Sequence, residues 1–237
     1  MIRIESLSKS FGAVQALANV TLTVERGEAV GLVGSNGSGR TTLLRILATL
    51  SAPSAGSVTI DGHDLVKHVY LLRPRIAFVA DGWPPDEHGR VDAHLCFALG
   101  ARGRAATPEI VAEAVARAGL DGRSPVGHLS GGMRQRLALC AALAAQPAVL
   151  LMDDPFRGLD AAGRSRFAEW FADLRTTGTA IVMAADEDDV AATCTGVARF
   201  EAGRLAGTSI VAADRPSGRL AAALSLSAAP LTSLGRG

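Results

Sequence analysis

The chain has 237 residues, of which 48% are hydrophobic and 20% charged, with a formal net charge of +1. That length supports a full core and that composition excludes a disordered chain, while the near-zero charge gives no electrostatic reason to expect nucleic acid as a partner. Three cysteines, Cys96, Cys140 and Cys194, form no CxxC pair, so they indicate neither a zinc knuckle nor a disulfide framework and are read as buried or half-buried thiols in a reducing compartment.

The first residues, 1–12, lack the apolar stretch of a signal peptide. Residues 1–8 and Val20–Glu25 alternate apolar and polar side chains, which predicts strands. Glu28–Gly34 reads as a buried strand entering a Gly-rich turn, and Thr41–Leu50 as the helix that follows. Ser57–Ile60 and Ile76–Ala80 are two further strands, with Asp61-Gly62 a turn signal between them. From about residue 84 to 146 the texture is helical, with helices expected over Val91–Leu99, Pro108–Ala118 and Gly132–Ala145. Thr107 before Pro108 is the pattern of an N-cap with proline at the first helical position.

The α/β texture returns at Ala148–Asp153, a continuous apolar strand ending in an acid. Phe167–Arg175 is expected to be a helix, Thr179–Ala184 a buried strand and Val197–Thr208 a hairpin turning at Ala202-Gly203. Strands alternating with helices point to an α/β fold with a mostly parallel sheet. The expected organisation is a domain over residues 1–216, with its helical subdomain at about 84–146, and a tail over 217–237. The longest apolar region, Leu137–Met152, is split by Gln146-Pro147 and is too short to cross a bilayer. A soluble chain is expected, with any membrane link made through another subunit.

Gly34, Ser35, Asn36, Gly37, Ser38, Gly39, Arg40, Thr41 and Thr42 lie between a buried strand and a helix. That is the setting a P-loop requires, and the alternative is a plain Gly-rich turn. The glycines let backbone N–H groups turn inward around an anion, and the helix N-terminus adds positive dipole. Thr41 is placed to bind Mg²⁺ through its hydroxyl. The pattern wants lysine where the chain has Arg40, and a planar guanidinium does not replace a compact ammonium conservatively.

Asp153 ends its strand as a second Mg²⁺ anchor would. Asp154 follows where many P-loop ATPases place a glutamate that polarises the attacking water. Asp154 is one methylene shorter, and its alternative role is to cap the turn it enters.

Leu129-Ser130-Gly131-Gly132-Met133-Arg134-Gln135-Arg136, shortly before the acid strand, resembles the signature motif of ABC transporter ATP-binding subunits. A serine and two glycines at a helix start offer a hydroxyl, free N–H groups and dipole to an anion; the alternative is an ordinary capped helix. Gly158-Leu159-Asp160 resembles the family's D-loop, and Phe11 falls where the family stacks an aromatic on adenine. The resemblance spans about residues 1 to 208 and looks exporter-like. It implies a P-loop NTPase fold of ABC type: a mostly parallel core, an antiparallel β subdomain and a helical subdomain. It also implies ATP and Mg²⁺ as cofactors, with Thr41, Asp81 and Asp153 at the metal. Ser130, Gly131, Gly132, Met133 and Asp160 would join the P-loop residues and Phe11 around nucleotide. The implied partners are a membrane permease subunit and a second ABC subunit paired head to tail. The implied location is the cytoplasmic face of the membrane.

The chain departs from this family at Arg40, at Asp154 for the catalytic glutamate, at Ala185 for the switch histidine, and at Asp81 for the Q-loop glutamine. Met133 for glutamine in the signature is milder. The four larger changes surround the chain's own P-loop, whereas Ser130-Gly131-Gly132 is intact. That asymmetry is expected of the degenerate half of a heterodimer, with a fully active homodimeric ATPase as the alternative. An ABC ATPase acting on nucleic acid would need a second ATPase domain or long coiled-coil insertions, and a P-loop kinase would lack the signature. His63, His68, His88, His94 and His128 show no metal spacing and read as surface or loop residues, and Arg73 and Arg75 as a solvated face. The resemblance also implies a permease contact near residues 81–87 and the helical subdomain, which Trp83, Pro84 and Pro85 could line; the alternative is a structural turn.

Overall fold

A computed structural model describes residues 1–82 and 88–210. The candidate permease contact at Trp83, Pro84 and Pro85 and the tail from 217 lie outside the described residues. In chain order the strands and helices begin β1 (Ile2–Phe11), β2 (Val14–Val24), β3 (Ala29–Val33), α1 (Arg40–Leu47), β4 (Ala55–Ile60), β5 (His63–Asp64), α2 (Val69–Leu72) and β6 (Ile76–Val79). They continue with α3 (Val91–Gly100), α4 (Pro108–Ala118), α5 (Gly131–Ala144), β7 (Val149–Asp153), α6 (Ala161–Thr176), β8 (Ala180–Ala184), α7 (Glu187–Thr193), β9 (Gly196–Glu201) and β10 (Arg204–Ile210).

The strands form two sheets. An antiparallel sheet has the order β2-β1-β4-β5, and a six-stranded sheet has the order β10-β9-β3-β8-β7-β6. Within the larger sheet every pair is parallel except β9 with β10. This is the α/β architecture the sequence pattern implies, with the antiparallel sheet as a separate layer.

Strand side chains alternate across a sheet, so each central strand serves two cores. Leu150, Met152, Ile181 and Met183 pack with α3, α4, α5 and α6 on one face. Val149, Leu151, Val182 and Leu32 pack on the other face with α1 and the antiparallel sheet. Asp153 shares the parity of Val149 and Leu151, which turns it toward α1. β3, β6, β7 and β8 all end along one rim, the carboxyl edge where open α/β sheets place their ligands.

Gly31, in the middle of β3, allows α7 to lie close: an added Cβ would sit 2.2 Å from Val190 Cγ1. Valine is stiff at χ1 and cannot swing aside. Gly31→Ala is therefore expected to cost about 1–3 kcal/mol by overpacking, read as a lower urea midpoint at unchanged slope.

Several elements differ from the sequence expectation. β1 and β2 run longer than residues 1–8 and Val20–Glu25 because register shifts near Leu7 and Lys9 interrupt the alternation. The Asp61-Gly62 turn closes a β4–β5 hairpin instead of leading to β6. α6 begins at Ala161, two turns before Phe167, because its first turns are mostly exposed and carry no apolar stripe. α7 escaped the apolar pattern entirely; its start is set by Asp186, which accepts from Asp189 N at 2.8 Å, and by an acidic first turn suited to the helix dipole.

Cys140 and Cys194 are buried, and burial pushes both thiols up to about 12, so neither is a ready nucleophile. Cys96 is exposed on α3, which corrects the reading of all three as buried or half-buried. His63 and His94 are half-buried within β5 and α3 and so are not loop residues. Arg73 and Arg75 are tied down locally: Arg73 Nε donates to Thr49 Oγ1, and Arg75 pairs with Asp61.

Candidate functional site

The loop between β3 and α1 is shaped by positions other residues would fill. At Gly34 (φ 149°) an added Cβ would lie 2.3 Å from Phe200 O and 2.9 Å from Ser38 Oγ. At Gly39 (φ 103°) it would lie 2.6 Å from Ala16 O. Gly39 is the N-cap of α1 and gives no side-chain cap bond, so the first N–H groups of that helix stay open. Ser38 Oγ is buried without a hydrogen-bond partner. An uncapped helix start beside an orphaned buried hydroxyl is a cradle for an anion.

The carboxyl rim brings three acids toward this cradle. Thr41 hydrogen-bonds the Asp153 side chain. Burial is the main cause that holds the Asp153 carboxyl above the usual carboxylate range; the Thr41 bond opposes it, the charge of Asp81 adds to it, and Arg40 opposes it. Asp154 is also pushed up, by burial first and by Asp153 next. Its backbone is left-handed (φ 45°), and its N–H donates to Ala184 O at 2.8 Å. Asp81 does not complete a metal set: its Oδ2 pairs with Arg157 Nη1 at 2.7 Å. Among the described residues no three acids, histidines or cysteines converge at metal-binding spacing.

Arg40 is half-buried, and its Nη1 donates to Ala185 O at 3.3 Å, just beyond β8. Ala185 offers only a buried methyl there. Phe11 is 54% exposed, with Lys9 Nζ 4.8 Å over its ring, leaving an open aromatic face for stacking.

The Ser130–Met133 stretch lies at the start of α5. Ser130 Oγ caps the helix by accepting from Met133 N at 3.3 Å, and the hydroxyl hydrogen remains available to donate. Ser130 and Gly131 are exposed. A Cβ at Gly132 would lie 2.6 Å from Gly158 O, and Gln135 Nε2 donates to Pro155 O at 2.9 Å. The start of α5 is thus packed on the loop that leaves Asp154. Asp160 Oδ1 is occupied in capping α6, accepting from Gly163 N at 2.8 Å.

The sequence pattern of the ABC transporter family matches residues 17–157, from β2 through both loops and the acid strand. The chain belongs to the ABC transporter family. Curated relatives include the sulfate/thiosulfate import ATP-binding protein of Bacillus cereus, 38% identical over 73% of this chain and 50% of that one. The daunorubicin resistance ATP-binding protein of Streptomyces coeruleorubidus is 37% identical over 77% of this chain and 59% of that one. The chain spans about half the length of these relatives. Among solved structures, an ATP-binding subunit of an ABC transporter superposes with a TM-score of 0.83 at 24% identity, covering 89% of this chain and 90% of that one. A dimeric bacterial ABC transporter cassette gives 0.82 at 24% identity, covering 89% and 99%.

The ABC family's ligands are ATP and Mg²⁺, and the residues present fit them. The orphaned Ser38 hydroxyl and the open α1 start suit phosphate oxygens, and the Thr41–Asp153 pair suits a hard cation held partly through water. ATP supplies the phosphoanhydride bond, and Mg²⁺ neutralises charge on its phosphates. Sequence reasoning missed Arg157 as a site residue. It follows Asp154 closely, but its partner Asp81 is 76 positions away.

Proposed function

We propose that the chain binds Mg²⁺–ATP, dimerises on it with a second ABC cassette, and couples that closure to a membrane permease at the cytoplasmic face. In this reading its own hydrolytic site is the weakened half of a heterodimer. The observation that carries it is the spatial sorting of the departures. Arg40, Asp81, Asp154 and Ala185 gather around the chain's own phosphate loop, while Ser130-Gly131-Gly132 is intact at the start of α5, with Ser130 and Gly131 exposed and Gly132 half-buried.

The chemistry supports the same division. Hydrolysis needs a base within reach of the attacking water and a donor aimed at the terminal phosphate. Asp154 is a short acid, Ala185 has no polar side chain, and Asp81 is held by Arg157. Thr41, Asp153 and the loop still suit binding. In this reading the helical subdomain, at about residues 84–146, belongs to a single nucleotide-binding domain over residues 1–216. Among the described residues no helix is long and apolar enough to cross a membrane, consistent with attachment through a permease.

The fully active homodimer is favoured by one observation: Asp154 retains a carboxyl pushed upward by burial, as bases tuned for catalysis often are. Mg²⁺-dependent ATP turnover of the purified chain, measured against protein concentration with Asp154→Asn as the contamination control, separates the two. Turnover no higher than the variant's is expected. Turnover that rises with concentration and vanishes in the variant would establish the homodimer.

A further inference from the structure

We propose that Arg40 is a positioning residue that ties the phosphate loop to the end of β8, and that it works as a coupled pair with Ala185. This rests on the nucleotide-binding reading above and assigns a gain of function to two residues otherwise counted as losses.

The geometry is specific. Arg40 opens α1, immediately after the left-handed Gly39, and its Nη1 reaches the carbonyl oxygen of Ala185 at 3.3 Å. The side chain spans from the β3–α1 loop to the neighbouring strand end, since β3 and β8 are paired in parallel through Leu32 and Ala184. Backbone bonds hold both ends: Ala185 N donates to Leu32 O at 3.4 Å, and Leu43 N donates to Gly39 O at 2.9 Å. A guanidinium carries five N–H donors in a planar fork, and the Ala185 bond uses one. The others remain for an anion seated on the loop, in the position from which a P-loop cation reaches the β- and γ-phosphates.

Charge supports this placement. The Asp153 and Asp154 carboxyls at the end of β7 and just beyond it are both raised chiefly by burial, and in each the Arg40 charge opposes that rise. A lysine is not equivalent here. Its three donors radiate from a single nitrogen, so it joins a carbonyl and a phosphate only where both come within hydrogen-bond reach of that one atom, whereas the guanidinium spreads five donors over a wider planar fork. Ala185 is the complementary half. Its carbonyl takes the guanidinium, and its side chain is a methyl 2% exposed. A ring at 185 would grow from the same Cα whose carbonyl Arg40 holds, and would compete for that space.

The pair is tested by a double-mutant cycle on the whole purified chain, reading Mg²⁺–ATP and Mg²⁺–ADP affinity with a fluorescent nucleotide and competition. Arg40→Lys and Ala185→His are each expected to weaken ATP by about tenfold, and to weaken ADP by less than about threefold, because the tether serves the terminal phosphate. The double variant is expected to bind ATP at least as well as either single variant. Structural damage would lower both nucleotides together and would not be rescued by the second substitution. Effects that multiply independently, or an Arg40→Lys variant with unchanged ATP affinity, would overturn the tether while leaving nucleotide binding in place. A wild-type chain that binds neither nucleotide would overturn the parent reading together with this one.

Discussion

In a transporter assembled from this chain and its partner cassette, Ser130→Arg is expected to lower ATP turnover by about 100-fold or more, while Asp154→Asn lowers it by less than about twofold. Ser130 lies exposed at the start of α5, where its hydroxyl caps the helix and keeps a hydrogen to donate. A bulky cation there would fill the surface that the proposed pairing turns toward the partner's nucleotide, and would leave the first N–H groups of α5 uncapped. The cap itself is worth only about 1 kcal/mol, too little to unfold the chain. The large loss therefore reads the partner's site, not collapse. In the proposed reading Asp154 serves only the chain's own loop, where it lacks the reach of a glutamate, so its amide is expected to change little. ATP turnover of the purified complex, with both variants checked for assembly, decides the matter. Equal losses would mean two equivalent sites and would remove the case for a degenerate half.

The sequence exposed those parts of the site that are written in short, contiguous patterns. Gly34 through Thr42, Asp153 at the end of its strand and Ser130 through Gly132 each announce a local backbone geometry, and the structure places them at strand ends and helix starts as that geometry requires. Thr107 was legible as a cap for the same reason, and it accepts from Ile110 N. What was hidden is pairing across distance. Nothing near Asp81 predicts Arg157, and nothing near Arg40 predicts the carbonyl of Ala185, which lies 145 positions along the chain. Strand order was hidden too, because β1 sits between β2 and β4 through pairings that periodicity does not encode. The missed helix α7 shows another limit. Its acidic first turn is a favourable helix start, but only Val190 is buried, so no apolar stripe marks it.

Asp153→Asn is expected to make the nucleotide-free chain more stable at neutral pH while removing most of its response to Mg²⁺. Asp153 is buried beside Asp154, and its carboxyl is raised chiefly by that burial. A raised carboxyl adds stability that is fully present below the unfolded value, about 3.9 for aspartate, and is lost as pH rises through the folded value. The wild-type chain therefore carries this loss at pH 7, and the amide does not. Removing the charge of Asp153 also relaxes Asp154, whose carboxyl it helps to raise. Urea unfolding in the absence of nucleotide should show the variant and the wild type close together near pH 4, and the variant ahead by about 1 kcal/mol at pH 7. Mg²⁺–ATP should reverse the order. A ligand at a hundredfold excess over its Kd stabilises the chain that binds it by about 2.7 kcal/mol, and the variant keeps Thr41 but loses the carboxylate beside it. A variant that is less stable than wild type without nucleotide, or that gains as much from Mg²⁺–ATP, would mean that Asp153 serves the fold and not the metal.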